Sequence, residues 1–173
     1  MKITTKTGDK GETSLFGGRR VSKSSSFIEL VGELDEFQAV VGWCRVSMKG
    51  EDALAMDKIQ DDLYRMMSVV GFEFKCPTNI KMIDENDVEF LEKEMGKYEE
   101  EMDKVKEFVR PGGSELATRL HIARTVCRRV ERGLVKMESG ASGEGKDAAM
   151  AAEKILKYLN RLSDFLFVLA YRA

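Results

Sequence analysis

Five stretches of this chain repeat apolar residues at alternating spacings of three and four, and that period leaves little choice of fold. Leu30, Leu34, Phe37, Val41, Cys44 and Met48 form the first seam, and Met56, Ile59, Leu63, Met66 and Val70 the second. Val88, Leu91, Met95, Tyr98, Met102 and Val105 form the third. The fourth runs through Leu116, Leu120, Ala123, Cys127, Val130, Leu134 and Met137, and the fifth through Ile155, Leu159, Leu162, Leu166 and Leu169. A narrow apolar stripe at this period predicts helices packed at shallow angles. Segments of about 20 to 26 residues correspond to rods of roughly 30–39 Å. Ser24, Ser25 and Ser26 are candidate caps for the first helix, and Asp84 or Asn86 for the third. The connections carry Pro77, the Pro111-Gly112-Gly113-Ser114 turn, and the low-complexity run SGASGEGK at 139–146, read as a surface loop. No strand alternation competes with this pattern. The expected class is all-α, a five-helix bundle preceded by a glycine-rich loop.

That loop, TGDKGETSLFGGRRVSK at residues 7–23, cannot continue a helix through Gly8, Gly11, Gly17 and Gly18 without losing stability. Its hydroxyls (Thr7, Thr13, Ser14) donate hydrogen bonds, and Lys10, Arg19, Arg20 and Lys23 bring positive charge. Donors and cations on a backbone that a ligand can approach closely suit a polyphosphate. The competing reading is a disordered N-terminal arm. The GDKG segment lacks the GxxxxGK[ST] spacing and no βαβ unit follows it, which excludes a P-loop NTPase.

Composition removes several other classes. At 173 residues the chain reads as one domain, and a net charge of −2 gives no general attraction to nucleic acid or acidic membranes. No apolar run reaches the ~20 residues of a membrane span, and the first residues lack a signal-peptide stretch, so a cytoplasmic location is expected. Cys44, Cys76 and Cys127 form no CxxC pair and fit reduced thiols. With one histidine, His121, a protein-built zinc or iron site is not expected.

Polar residues appear where a bundle would not choose them. His121, Arg124, Arg128 and Glu131 share one face of the fourth helix, flanked by Arg129 and Arg132. This is either a solvated face with intrahelical pairs, or a self-repelling array that an anion or outside carboxylates must balance. On the first helix Ile28, Gly32, Asp35, Ala39 and Gly42 form a stripe of mostly small residues around one acid, where pairing with an arginine would keep the acid charged. Asn160, Arg161 and Asp164 interrupt the apolar run of the last helix and, if buried, need partners.

Four segments in order, the loop at 7–23, VGELDEF at 31–37, FVRPGGSELATRLHIARTVCRRVER at 108–132 and YLNRLSDFLFVLA at 158–170, resemble the PduO-type ATP:cob(I)alamin adenosyltransferases. The resemblance spans residues 5–172 and implies a ferritin-like five-helix bundle of the cobalamin adenosyltransferase kind, assembled as a homotrimer with sites between subunits. It implies one domain over 1–173, with 1–26 as the nucleotide loop and 27–173 as the bundle. The implied reaction moves the 5′-deoxyadenosyl group of ATP to the cobalt of cob(I)alamin, with Mg²⁺ on the phosphates. Position by position, Thr5, Lys6, Thr7, Gly8, Asp9, Gly11, Ser14 and Lys23 would wrap the triphosphate. Arg128, Glu131 and Asn160 would contact the nucleotide, with Arg128 nearest the phosphates. Asp35 and Arg124 would pair across the subunit interface and shape the corrinoid pocket. Phe108 and Phe167 would present apolar surface to the corrin, Phe108 excluding a lower axial ligand. Hand-over of product to an adenosylcobalamin-dependent enzyme is a further implication. Arg110 departs from the aliphatic residue common in the family, and the end at Ala173 implies a more open corrinoid pocket than relatives with longer tails. The alternative is a non-catalytic ATP- or corrinoid-binding carrier or regulator on the same fold.

Overall fold

The computed structural model describes residues 4, 6–75, 77, 79–102, 105–107, 109–140 and 145–173, without the side chains of 138–140. A short ribbon, β1 (Glu12–Ser14) and β2 (Arg20–Ser22), precedes helices α1 (Ser26–Arg45), α2 (Gly50–Gly71), α3 (Glu85–Gly96), α4 (Glu99–Met102), α5 (Glu115–Gly140) and α6 (Lys146–Arg172). The protein is therefore mostly helical, with one small antiparallel sheet. Among the described residues no helix is long and apolar enough to cross a membrane.

The apolar seams form the core. Every residue of the first, second and fifth seams is buried, as are Leu120 through Met137 of the fourth, with Leu116 partly so. Each fully buried leucine contributes about 1.5–3 kcal/mol of transfer free energy. α1 packs on α2 and α5, α5 on α6, and α3 on α6. Cross-helix contacts give the directions. Arg45 Nε donates to Asp57 Oδ1 at 2.6 Å at one end of the α1–α2 pair, and Phe27 meets Phe74 at the other, so these helices are antiparallel. Glu36 pairs with Arg129, and Trp43 stacks under Arg119, which makes α5 antiparallel to α1. Glu85–Lys157 and Glu92–Arg161 set α3 parallel to α6.

Three expectations are corrected. The loop is not strandless: Thr13 opposes Val21 in a hairpin, and Gly11 (φ 78°) and Gly18 (φ 84°) take left-handed turns that an L side chain resists. The third seam does not run as one helix to Val105. α3 ends at Gly96, where Lys97 bonds Glu51 and Glu94 while Tyr98 donates to Asp52 Oδ1 (3.0 Å) beneath the Arg172 guanidinium (3.6 Å). Finally, residues expected in the 139–146 loop are partly helical, since α5 reaches Gly140 and α6 starts at Lys146.

Capping separates the candidates. Asp84 closes a capping box with Asp87, each side chain accepting from the other's backbone N–H, at 3.3 and 3.0 Å. Ser25 stands at the N-cap position of α1 but makes no side-chain cap bond. Ser114 Oγ accepts from the Ala117 N–H at 2.9 Å and starts α5. One polar cluster lies inside the core and was not singled out in the sequence. Asp62, 1% exposed, accepts from Lys58 (2.7 Å) and from the Tyr158 hydroxyl (2.6 Å), and Arg65 joins it to Asp87 (2.8 Å).

Candidate functional site

The hairpin gathers the loop's donors. Lys23 N–H bonds the Gly11 carbonyl at 2.9 Å and Gly11 N–H the Gly8 carbonyl at 3.2 Å, so the chain folds back on itself between 8 and 23. The Lys23 ammonium lies over Gly8, where an added Cβ would meet Nζ at 3.1 Å. Arg20 Nη2 donates to the Thr7 carbonyl at 3.0 Å. Lys6, Thr7, Asp9, Gly11, Ser14 and Lys23 are exposed, and Gly8 is half-buried. Thr5 lies outside the described residues.

A second polar set spans α5 and α6. Asn160 Nδ2 donates to Glu131 Oε1 at 3.3 Å, and Arg128 Nη1 stands 3.9 Å from Glu131 Oε2. Arg161 donates through Nη1 to Asn160 Oδ1 (3.1 Å) and through Nε to Glu92 Oε1 (2.8 Å). Partial desolvation of its inner side pushes the Asp164 carboxyl up, and Arg161 and Arg128 partly oppose that shift. Asn160 and Arg161 are half-buried and Asp164 is exposed, so the polar interruption of α6 lies at the margin of the core rather than within it. Arg128 keeps 49% of its side chain exposed while Glu131 keeps 18%, leaving a cation open above a held carboxylate.

The third set lies nearer the start of α5. His121 is 4% exposed, its Nδ1 has no partner, and its ring is 6.3 Å from that of Phe167. Burial and the nearby Arg124 hold the imidazole pKa down. Arg124 Nε is likewise buried and unpartnered. Asp35 is exposed with Ala39, and a Cβ on neighbouring Gly32 would meet nothing within 4 Å, so the stripe of α1 is open around Asp35, whereas Gly42 at its end lies against Gln60. Among the described residues no hydrogen bond or ion pair joins Asp35 to Arg124, and none joins Ser14 or Lys23 to Arg128 or Asn160. Phe108 lies outside the described residues, and Arg110 is exposed.

Of the flanking arginines, Arg129 is balanced by Glu36 from α1. A cleft of about 470 Å³ between α1 and α5, lined by Phe27, Glu33, Arg129, Arg132 and Lys136, was not anticipated. Its lining includes Glu33, whose Oε2 is buried without a hydrogen-bond partner among the described residues and whose pKa burial raises. Glu92 was missed as the partner of Arg161, although the facing charges on α3 and α6 were the available signal.

A family model for cobalamin adenosyltransferase matches residues 3–173. The chain belongs to the cobalamin adenosyltransferase family. A corrinoid adenosyltransferase of Bacillus subtilis (strain 168) is 35% identical over 179 residues, covering 98% of this chain and 85% of that protein. The corrinoid adenosyltransferase PduO of Salmonella typhimurium is 33% identical over 98% of this chain, which spans about half (49%) of that relative's length. Among solved structures, a variant PduO-type ATP:corrinoid adenosyltransferase from Lactobacillus reuteri complexed with cobalamin and ATP superposes with a TM-score of 0.81. It is 29% identical and is matched over 98% of this chain and 89% of its own.

Proposed function

We propose that this chain transfers the 5′-deoxyadenosyl group of ATP to the cobalt of cob(I)alamin. The reading is carried by the exposed Arg128 held beside Glu131 and Asn160, on a chain that matches the family from residue 3 to 173. In this reaction the cobalt lone pair forms the Co–C bond at C5′ as the C5′–O bond breaks, and tripolyphosphate leaves with that electron pair. The metal atom of the substrate is the nucleophile, so no serine, cysteine or general base is required. The protein supplies placement and charge. An arginine about 4 Å from a phosphate oxygen contributes up to ~4 kcal/mol of gross attraction at an effective dielectric of 20.

In this reading the hairpin, with Thr5, Lys6, Thr7, Gly8, Asp9, Gly11, Ser14 and Lys23, holds the triphosphate. Arg128 meets the phosphates, while Glu131 and Asn160 meet the nucleotide. Phe108 and Phe167 face the corrin. The long helices act as one five-helix bundle in a single domain, with residues 1–26 as its nucleotide loop. The open stripe around Asp35 and the orphaned Arg124 Nε support a homotrimer in which these two residues pair between subunits. Among the described residues no three His, Cys, Asp or Glu side chains form a metal cage, so magnesium would enter on the phosphates of ATP. The product would pass to an adenosylcobalamin-dependent enzyme, and the cytoplasm is the proposed compartment.

Incubation with ATP, Mg²⁺ and chemically reduced cobalamin tests the reading. A photolabile alkylcobalamin is the expected product. Folded, ATP-binding protein that forms none would overturn it and leave the carrier alternative.

A further inference from the structure

The tip of the hairpin is fastened to the end of α2, and none of the roles above uses that contact. The Phe16 N–H donates to the Gly71 carbonyl at 3.0 Å, satisfying an acceptor that a helix C-terminus otherwise leaves open. The Phe16 ring lies flat against Gly71, where a Cβ would fall 2.6 Å from Cδ2 and 2.9 Å from Cε2. Its edge meets the Phe72 ring, with centroids 5.7 Å apart and planes at 64°. The Arg19 guanidinium grips the Glu73 carboxylate with two donors, Nε at 3.1 Å among them. Glu73 (φ 55°) and Phe74 (φ 61°) both adopt the left-handed conformation that non-glycine residues avoid, an arrangement that persists only where its surroundings hold it. Leu15, one residue before Phe16, is 4% exposed and anchors the same turn. Phe16 itself remains 58% exposed. An aromatic ring that leaves most of its surface in water gains little from burial, so its fixed seat over Gly71 is better explained by what it positions.

We propose that Gly71 and Phe16 form a positioning latch that sets the hairpin on the bundle before nucleotide arrives. Gly71 is required because only a residue without a Cβ admits the ring, and the Arg19–Glu73 pair fixes the rotation of the ribbon about that point. Ordering the loop in advance removes that cost from ATP binding. The proposal rests on the reading of the hairpin as the triphosphate cradle.

The experiment compares the full chain with its Gly71→Ala, Phe16→Ala and Gly71→Ala/Phe16→Ala variants, with Glu73→Ala as a separate break at an exposed pair. Each is assayed for KM for ATP, kcat, corrinoid affinity, and resistance of residues 7–23 to protease without nucleotide. Loss of the ring's contacts, or of the Arg19 pair in Glu73→Ala, predicts KM for ATP raised about tenfold, with kcat within about twofold and corrinoid affinity unchanged. The double variant should be no worse than Phe16→Ala, because removing the ring removes the clash. Unchanged KM for ATP in both Phe16→Ala and Glu73→Ala overturns the latch, as does a fall in kcat with KM constant. If Gly71→Ala does not fold, those two variants still decide the matter. Ready cleavage within residues 7–23 of the unaltered, nucleotide-free protein also overturns the latch, whereas a Lys23→Ala variant with unchanged KM for ATP would instead refute the cradle reading beneath it.

Discussion

Asn160 on α6 donates its amide to the carboxylate of Glu131 on α5 across 3.3 Å, so a neutral donor rather than a second cation steadies the acid beside Arg128. Arg128 keeps its charge available, because its separation from Glu131 (3.9 Å) is at the outer limit of an ion pair. Arg128→Ala should therefore lower kcat/KM for ATP by about ten- to a hundredfold, the worth of a charge-assisted hydrogen bond to phosphate. Helicity by circular dichroism should not change. A variant as active as the parent would remove Arg128 from the phosphates.

Replacing Asn160 distinguishes hydrogen bonding from charge. Asn160→Asp places a second carboxylate against Glu131 and near Asp164, so it should weaken ATP binding more than Asn160→Ala does. Calorimetric titration with ATP orders the two variants. The opposite order would mean that the amide serves only the fold.

Asp35→Asn removes the charge from an exposed side chain that has no ion-pair partner among the described residues. A fall in corrinoid affinity of about tenfold or more, with ATP affinity retained, is the expected result if Arg124 of another subunit is its partner. Spectroscopic titration with cobalamin, alongside sedimentation to report the assembly, makes the measurement. Unaltered corrinoid affinity would count against the pair.

The core network predicts unequal losses. Tyr158→Phe deletes one hydrogen bond to an acid still held by Lys58 and Arg65, and should cost about 1.5–3 kcal/mol. Asp62→Ala leaves the Tyr158 hydroxyl without its acceptor and two partly buried cations to share Asp87 alone, and should cost about 3–5 kcal/mol. Urea unfolding reads both. Equal losses would show that the network acts as packing alone.

Acid should weaken the fold in two stages. Burial alone would raise the Asp87 pKa, but hydrogen bonds from Arg65 and Lys58 outweigh it and hold the carboxyl well below its ordinary 3.8. Burial depresses His121 below its ordinary 6.5, with Arg124 adding to the effect. In both cases the unfolded chain takes up the proton first as pH falls, so stability is lost on acidification. The histidine contribution fades below 6.5, and the aspartate contribution only below 3.8. Midpoints of thermal unfolding across pH 3 to 8 test this, and His121→Gln should flatten the upper step alone.

Helical periodicity made most of the architecture legible, because a residue such as Leu34 or Leu162 has only one face on which to lie and the core claimed it. The same periodicity misled at Tyr98. That side chain continues the apolar stripe in sequence, yet its hydroxyl and ring are better satisfied by Asp52 and Arg172 than by a further turn of α3. The hairpin was hidden because three-residue strands are too short to show alternation, and its glycines signal left-handed turns as readily as disorder. The Arg128–Glu131 spacing could be read from one helix. Its completion by Asn160 depends on how α5 and α6 cross, which no local pattern encodes. Asp62 escaped notice because Lys58, Asp62 and Arg65 look like ordinary surface pairs until α3 and α6 cover them.

Arg161 holds Asn160 with one nitrogen and Glu92 of α3 with another, so a single guanidinium divides its donors between two neighbours. An amide that turns toward bound nucleotide loosens one of those attachments and leaves the other to tighten. α3, which touches neither substrate in the proposed site, would then report occupancy at a distance. Its backbone amides should exchange with deuterium more slowly once ATP is bound.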